Sequence, residues 1–375
     1  MDRYDFIVVG GGIAGASAGY QLAAHGKVLL LERESQLAYH STGRSAALYL
    51  QTHGPAVIQA LARGSKTFFT TPPEGFAEYP LVKPRGMLWI GRAEQTDFLD
   101  HVAAEWMPFM KGVRRLNTRE AQEIVPVLRE DYIAGAVLEP EAMDLDVHAV
   151  HYGFIRGLRQ RGGTVRTEAE VRSLKRQGDT WTVESPAGSF VAPVIINAAG
   201  AWCDKVATLA GAKLVGLQPK RRTAFIFDPP SGVNVHSWPA VHDVGETFYF
   251  KPDAGKLLAS PADETPMEPC DVQPDDLDVA IAVERVQGAA RLPVVHINRK
   301  WAGLRSFVAD GCPVVGYDPE VAGFFWLAGQ GGYGIETSPS MGRLCASLAA
   351  GRGVPGDLAD LGVTEAVLSP ARFAH

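Results

Sequence analysis

Cysteine is scarce in this chain: Cys203, Cys270, Cys312 and Cys345 are scattered through 375 residues. They make no C-x-x-C pair and no metal-ligand spacing with histidine, so neither a disulfide framework nor a thiolate metal site is expected, and a reducing cytoplasm is the expected compartment. Basic charge is also short. Lys and Arg total 36 against 42 Asp and Glu, a formal net charge of −6. The one basic run, Lys220-Arg221-Arg222, is too brief to follow a phosphate backbone, and no nucleic-acid partner is expected. No repeat or low-complexity array is present. The apolar N-terminus is preceded by Asp2, Arg3 and Asp5, and its glycines stand where a turn needs them. It reads as a buried strand and helix rather than a signal or an integral membrane segment.

What is present is glycine, 40 residues of it, in a chain long enough for about two domains. In "FIVVGGGIAGASAG" the apolar run Phe6 to Val9 suits a parallel strand buried on both faces. Gly10, Gly12 and Gly15 then match G-x-G-x-x-G, and the small residues Ala14, Ala16, Ala18 and Gly19 let a helix from Ile13 to Ala24 lie close to that strand. A second strand, "KVLLLE", ends in Glu32, 17 residues past Gly15, where an acidic group accepts from ribose hydroxyls. Gly12 allows backbone N–H groups to approach a pyrophosphate, which the helix dipole also favours. This is a βαβ dinucleotide unit.

The segment after Glu32 is a loop, "RESQLAYHSTGRSAALYL", with Ser41, Thr42, Gly43, Arg44 and Ser45 at its centre, where an NAD dehydrogenase would go on to another strand. With the N-terminal motif, this loop resembles the FAD-dependent amino-acid oxidoreductases of the D-amino-acid oxidase and glycine oxidase type, and within them the bacterial D-arginine dehydrogenases. Further stretches carry the same likeness: a strand near Val171, a hairpin and the strand Val194 to Asn197 closing on Ala198-Ala199-Gly200; Gly303, Arg305, Asp310, Gly311, Pro313 and Gly316 in "WAGLRSFVADGCPVVGY"; and "FFWLAGQGGYGIETSP". The resemblance spans nearly the whole chain, most thinly at 91–145 and 263–300.

That resemblance implies an α/β fold: an FAD-binding Rossmann-like domain of the glutathione-reductase type, assembled from 1–75, 145–215 and 300–375, and a mixed-sheet substrate domain from 76–144 and 216–299. FAD is expected to be held non-covalently by Gly10, Gly12, Ile13, Ala14, Gly15, Glu32, Arg33, Ser41, Thr42, Gly43, Arg44, Ser45, Ala47, Val171, Ala199, Gly200, Gly303, Gly331, Gly332, Tyr333, Gly334, Ile335 and Glu336. The alternating stretches "RRTAFIF" and "ETFYFKP" fit half-buried strands of the second sheet.

An amino-acid substrate brings a carboxylate, best held by a planar guanidinium. Arg305, in an otherwise apolar segment, and Arg222 are the candidates; the plainer alternative for Arg305 is a salt bridge to Asp310. The resemblance adds the Tyr249 hydroxyl near the same carboxylate, and Gly332 beside the substrate. His53 stands where relatives carry a lid tyrosine, although a solvated loop histidine is the plainer reading. At Met87 a D-arginine dehydrogenase carries a glutamate. Met87, Leu48 and Leu50 together suggest a pocket for apolar D-amino acids rather than D-arginine. The product would be an imino acid that hydrolyses to a 2-oxo acid and ammonia, with electrons passing to a quinone, another acceptor or oxygen. Rival readings are a glycine, sarcosine or 2-hydroxy-acid flavoenzyme of the same fold, an NAD-dependent dehydrogenase, and a flavoprotein that binds without turnover.

Gly329, Gly331 and Gly334 repeat G-x-G-x-x-G between a strand at Phe324 to Ala328 and a helix from Ser338, its expected N-cap. The residues after Gly351 offer no second apolar strand. This turn is therefore expected to hold the ring end of the same FAD. Glu336 is awkward there, since a carboxylate beside a reduced, anionic flavin is unfavourable unless it points away or is protonated.

Overall fold

The computed structural model describes residues 2–373, so Met1 and residues 374–375, the outer ends of the expected cofactor segments, lie outside the described residues. A six-stranded sheet runs in the order Thr164–Arg166, Val28–Leu31, Phe6–Val9, Val194–Asn197, Phe324–Ala328 and Val314–Tyr317, parallel except for the last pair. Its strands Phe6–Val9, Val28–Leu31 and Phe324–Ala328 are buried along their whole length, as continuous apolar runs require. Helices Ile13–Leu22, Val147–Gln160 and Ser338–Ala349 cover one face. The other is covered by the three-stranded meander Ser173–Gln177, Thr180–Ser185 and Gly188–Ala192, whose Trp181, Val183 and Phe190 pack with Ile7, Val9 and Leu29. Close packing sets the glycine requirement: a Cβ at Gly15 would stand 1.9 Å from the Gly10 carbonyl oxygen.

A nine-stranded mixed sheet forms the second layer system. It runs Thr265–Pro266, Gln218–Phe227, Lys256–Ser260, Tyr249–Asp253, Ala240–Asp243, Met87–Gly91, Gly135–Glu139 and Arg114–Asn117, with Ile297–Phe307 also paired to Gln218–Phe227. Helix Asp276–Ala289 closes one face over Phe225, Phe227, Phe248 and Phe250. The strand Ile297–Phe307 straddles the boundary expected at 300 and carries Gly303 and Arg305 in this sheet.

Register then decides which side chains share the open face, because paired residues point the same way. Lys220 faces Arg305 and Arg222 faces Gly303; Tyr249 faces His242; His242 faces Trp89; Met87 faces Glu139.

Local differences from the sequence reading have plain causes. Val171 lies in the loop leading into Ser173–Gln177. The N-cap of the last long helix is Thr337 rather than Ser338, with Pro339 in its first turn and the Ser338 hydroxyl donating to the Ile335 carbonyl. After Ala328 the described residues contain helices, Gly356–Asp360 and Glu365–Leu368 among them, and no strand, so no second βαβ unit forms.

Candidate active site

One cavity of about 490 Å³ joins both glycine motifs: Gly10, Gly12, Ile13 and Ala14 line one end, and Gly331, Gly332, Gly334 and Ile335 the other. At the first end Gly10 has φ +110°, and a Cβ there would meet the Ala198 carbonyl at 2.4 Å. The Thr42 hydroxyl accepts from Ile13 N at 3.0 Å, standing in for an N-cap side chain that Gly12 cannot supply. Glu32 is buried; one carboxylate oxygen accepts from Gly11 N at 2.7 Å and the other from Glu34 N at 2.9 Å, so it braces the glycine turn while still lining the cavity. Arg33, Ser41, Arg44, Ser45, Val171, Ala199, Gly200 and Gly303 also line it.

Other expected cofactor residues act from behind the wall. Gly15, Gly43, Ala47, Tyr333 and Glu336 are not in the cavity lining. Gly43 N donates to the Ala38 carbonyl, which leaves no room for a Cβ, and Ala47 packs into the core. The guanidinium of Arg44 is spent on Asp271 and on the Val272, Ala302 and Tyr39 carbonyls, and the Ser41 hydroxyl on the Leu304 carbonyl. These two residues fasten the loop to the strand that carries Arg305. The sequence reading missed Tyr39, His40, Trp202 and Lys205 at this end, which carry no motif and arrive by tertiary folding.

At the other end Arg222, Tyr249, Arg305 and Gly332 line the cavity together. Asp310 does not pair with Arg305: its carboxylate takes Arg372 Nε at 2.8 Å. Among the described residues Arg305 donates no hydrogen bond and makes no ion pair, and the Tyr249 hydroxyl has no partner. Arg222 is anchored on one edge, with Nε to the Asp263 carbonyl at 2.9 Å and Nη2 to Glu264 at 3.1 Å. Burial, and then Arg305 beside it, pull its pKa down to about 10, leaving it cationic at neutral pH. Both arginines and the tyrosine line one cavity, and among the described residues neither the Arg305 guanidinium nor the Tyr249 hydroxyl has a protein acceptor, an arrangement that suits an anionic ligand.

Met87 and His53 do not line the cavity. Met87 is buried in a core layer with Leu50, Trp89, Leu99 and Val102, and Leu48 packs against that layer. The apolar trio is therefore core rather than an open greasy pocket. His53 is a half-buried loop histidine rather than a freely solvated one: its ring packs on Tyr333 at 5.0 Å, Trp89 at 6.2 Å and His242 at 6.4 Å. Burial, then His242 and the arginines, push its pKa down to about 3. Three carboxyl groups hold the residues before it. Leu50 N donates to Glu336, Gln51 Nε2 to Glu141, and the Thr52 hydroxyl to Glu139, at 2.9, 2.9 and 2.8 Å. Burial raises Glu336 well above the usual carboxyl range, which favours its neutral form, and its carboxyl is turned toward Leu50 N. His242, Trp89 and Glu139 went unnoticed in sequence because only strand register brings them to this face.

These contacts bear on FAD. The cavity is continuous from the Gly10 turn to Arg305, and the Gln330 side-chain amide nitrogen in its wall is buried with no partner. A Cβ at Gly10 or Gly331 would invade neighbouring backbone or the Phe307 ring. The residues present fit a dinucleotide with a ring at the Gly331 end.

Comparisons with known proteins agree. The family model for FAD dependent oxidoreductases matches residues 5–348. Glycine oxidase of Geobacillus kaustophilus (strain HTA426) is 25% identical over 381 residues, covering 96% of this chain and 97% of its own. The crystal structure of glycine oxidase from that species has a TM-score of 0.83 at 23% identity, covering 96% of this chain and 98% of the other. L-alpha-glycerophosphate oxidase from Mycoplasma pneumoniae, solved with FAD bound, has a TM-score of 0.83 at 19% identity, covering 93% and 95%. Human mitochondrial dimethylglycine dehydrogenase is 24% identical over 382 residues; 91% of this chain matches 42% of that protein.

Proposed function

The chain belongs to the FAD-dependent oxidoreductase family, and from that premise we propose that it oxidises the C–N bond of an amino acid with an uncharged side chain, apolar D-amino acids ahead of D-arginine. One observation carries this reading: Arg305, unpaired among the described residues, shares the cavity with Arg222 and the partnerless Tyr249 hydroxyl. Two guanidiniums and a phenol suit the α-carboxylate, and the clamp fixes Cα against the ring end of the cavity. FAD held there by the residues that line the cavity would supply the hydride acceptor for Cα. The ammonium proton passes to water, and the imino acid adds water to give the 2-oxo acid and ammonia. None of the four cysteines lines the cavity, in keeping with non-covalent FAD.

A second reading, glycine or N-methylglycine as substrate, is favoured by the rings of His53, Trp89, His242 and Tyr333, which pack beyond Tyr249 outside the cavity lining. Anaerobic reduction of the bound flavin by a panel of D- and L-amino acids, glycine, sarcosine and lactate tests both. Bleaching by D-Ala and D-Met but not D-Arg supports the first, bleaching by glycine or sarcosine alone the second, and bleaching by none of the amines defeats both. Oxygen consumption against quinone reduction in the same preparation identifies the acceptor.

A further inference from the structure

His242 is a buried titratable group that the carboxylate clamp does not use. It is 8% exposed, and Nδ1 lies 2.8 Å from the carbonyl of Asp243. A carbonyl only accepts, so Nδ1 carries the proton and Nε2 is a bare lone pair. No protein donor reaches that lone pair among the described residues. The indole N–H of neighbouring Trp89 is spent on Glu139 at 3.2 Å, and the Tyr249 ring lies nearly parallel to the imidazole, centroids 5.5 Å apart and planes 14° apart. An acceptor without a protein donor favours any ligand that supplies one.

The surroundings decide the donor's charge and reach. Burial, with Arg222 and Arg305 on one side, brings the His242 pKa down to about 4 against the opposing Asp243 carbonyl and carboxylate. Field and burial that keep this ring uncharged also disfavour an ammonium or guanidinium beside it. Glu139, beyond Trp89, is itself pushed up to about 7 by burial. His53 faces the ring at 6.4 Å, and Trp89 lies at 4.7 Å, so little length is left past Tyr249.

We propose that His242 selects the substrate side chain: its ring, paired with Tyr249 on the same sheet face and stacked on the Tyr249 ring just outside the cavity lining, offers Nε2 to an uncharged donor close to Cα, a hydroxyl above all, and with His53 turns away cationic side chains. The inference rests on the carboxylate-clamp reading. It ranks D-serine above D-2-aminobutyrate, which differs only by methyl for hydroxyl.

The test compares flavin reduction of the holoenzyme by D-serine, D-2-aminobutyrate and D-alanine in the wild type, His242→Leu and His242→Gln. The expected result is a serine preference of about tenfold, lost in His242→Leu, partly kept in His242→Gln, with D-alanine within about threefold throughout. A wild-type ratio near one, or a ratio that His242→Leu leaves intact, overturns the proposal. Binding of two inert carboxylates, 3-hydroxypropanoate and butanoate, read from the flavin spectrum, separates this inference from the reading beneath it. A hydroxyl preference that vanishes in His242→Leu, in an enzyme that oxidises no amino acid, upholds His242 and defeats amino-acid oxidation. Tight binding of both carboxylates without preference does the reverse.

Discussion

Arg305 rests against the backbone of Gly332 so closely that a Cβ there would stand 2.8 Å from Nη1 and 2.9 Å from Cζ. The glycine turn and the guanidinium are therefore one unit: the turn is bare so that the unpaired cation can reach across it. Gly332→Ala should displace Arg305 while leaving the Gly10 end of the cavity alone. The expected result is a rise in KM for the amino acid of about tenfold with FAD content unchanged. An unaltered KM would separate the two residues functionally.

The two arginines differ in what else they hold. Arg222 ties the Asp263 carbonyl and Glu264 to its strand, whereas Arg305 holds no protein acceptor. Arg305→Lys should cut kcat/KM by about 10–100-fold through loss of bidentate binding and leave Tm nearly unchanged. Arg222→Ala should lower both. Thermal scans beside steady-state kinetics check the contrast, and a matching fall in Tm for Arg305→Lys would mean that the guanidinium itself, rather than its charge, is needed for the fold.

How much of this was legible beforehand follows from how each feature is encoded. The Gly10 turn, its strands and the Glu32 terminus are written in local spacing, and the structure has them within a residue or two of the expected places. Arg305 was legible as a lone cation in an apolar segment; that Asp310 instead pairs with Arg372 was not, because their meeting depends on the last helical turns folding back. Met87 looked like pocket because strand alternation gives two faces and no sequence signal says which neighbour covers each. Helix Thr96–Trp106 supplies that cover through Leu99, Val102 and Trp106. His242 and Glu139 carry no motif at all, and only their pairing with Trp89 and Met87 brings them to the site.

Stability should carry the signature of Glu139. Burial raises this carboxyl from 4.5 to about 7. A raised acid keeps its proton in the folded state, so its contribution is complete below pH 4.5, falls as pH climbs through about 7, and is flat above. The size is about 3 kcal/mol. Urea unfolding of wild type and Glu139→Gln at pH 5 and pH 8 isolates it, because His53 and His242, both depressed, act in the opposite direction and equally in both proteins. The variant should gain on the wild type by a few kcal/mol on going to pH 8; an unchanged difference would place the titration elsewhere.

Glu336 poses the sharpest electrostatic question, since an ionised carboxylate near the ring end would oppose flavin reduction. It is 4% exposed, accepts from Leu50 N at 2.9 Å, and burial pushes its pKa well above the usual carboxyl range, toward the neutral acid. A neutral acid adds no charge to the ring, so replacing it with a neutral amide of the same shape should change little. Glu336→Gln is expected to leave FAD affinity within about twofold and the flavin midpoint potential nearly unmoved, because an electrostatic shift requires a change in charge. Glu336→Ala is the informative contrast: it strands the Leu50 amide without an acceptor, at a cost of about 1–3 kcal/mol, and loosens the segment that carries His53. Redox titration of both variants decides between the protonation states. A midpoint raised by tens of millivolts in Glu336→Gln would mean that the wild-type group is ionised, and that Leu50 N, rather than burial, governs its charge.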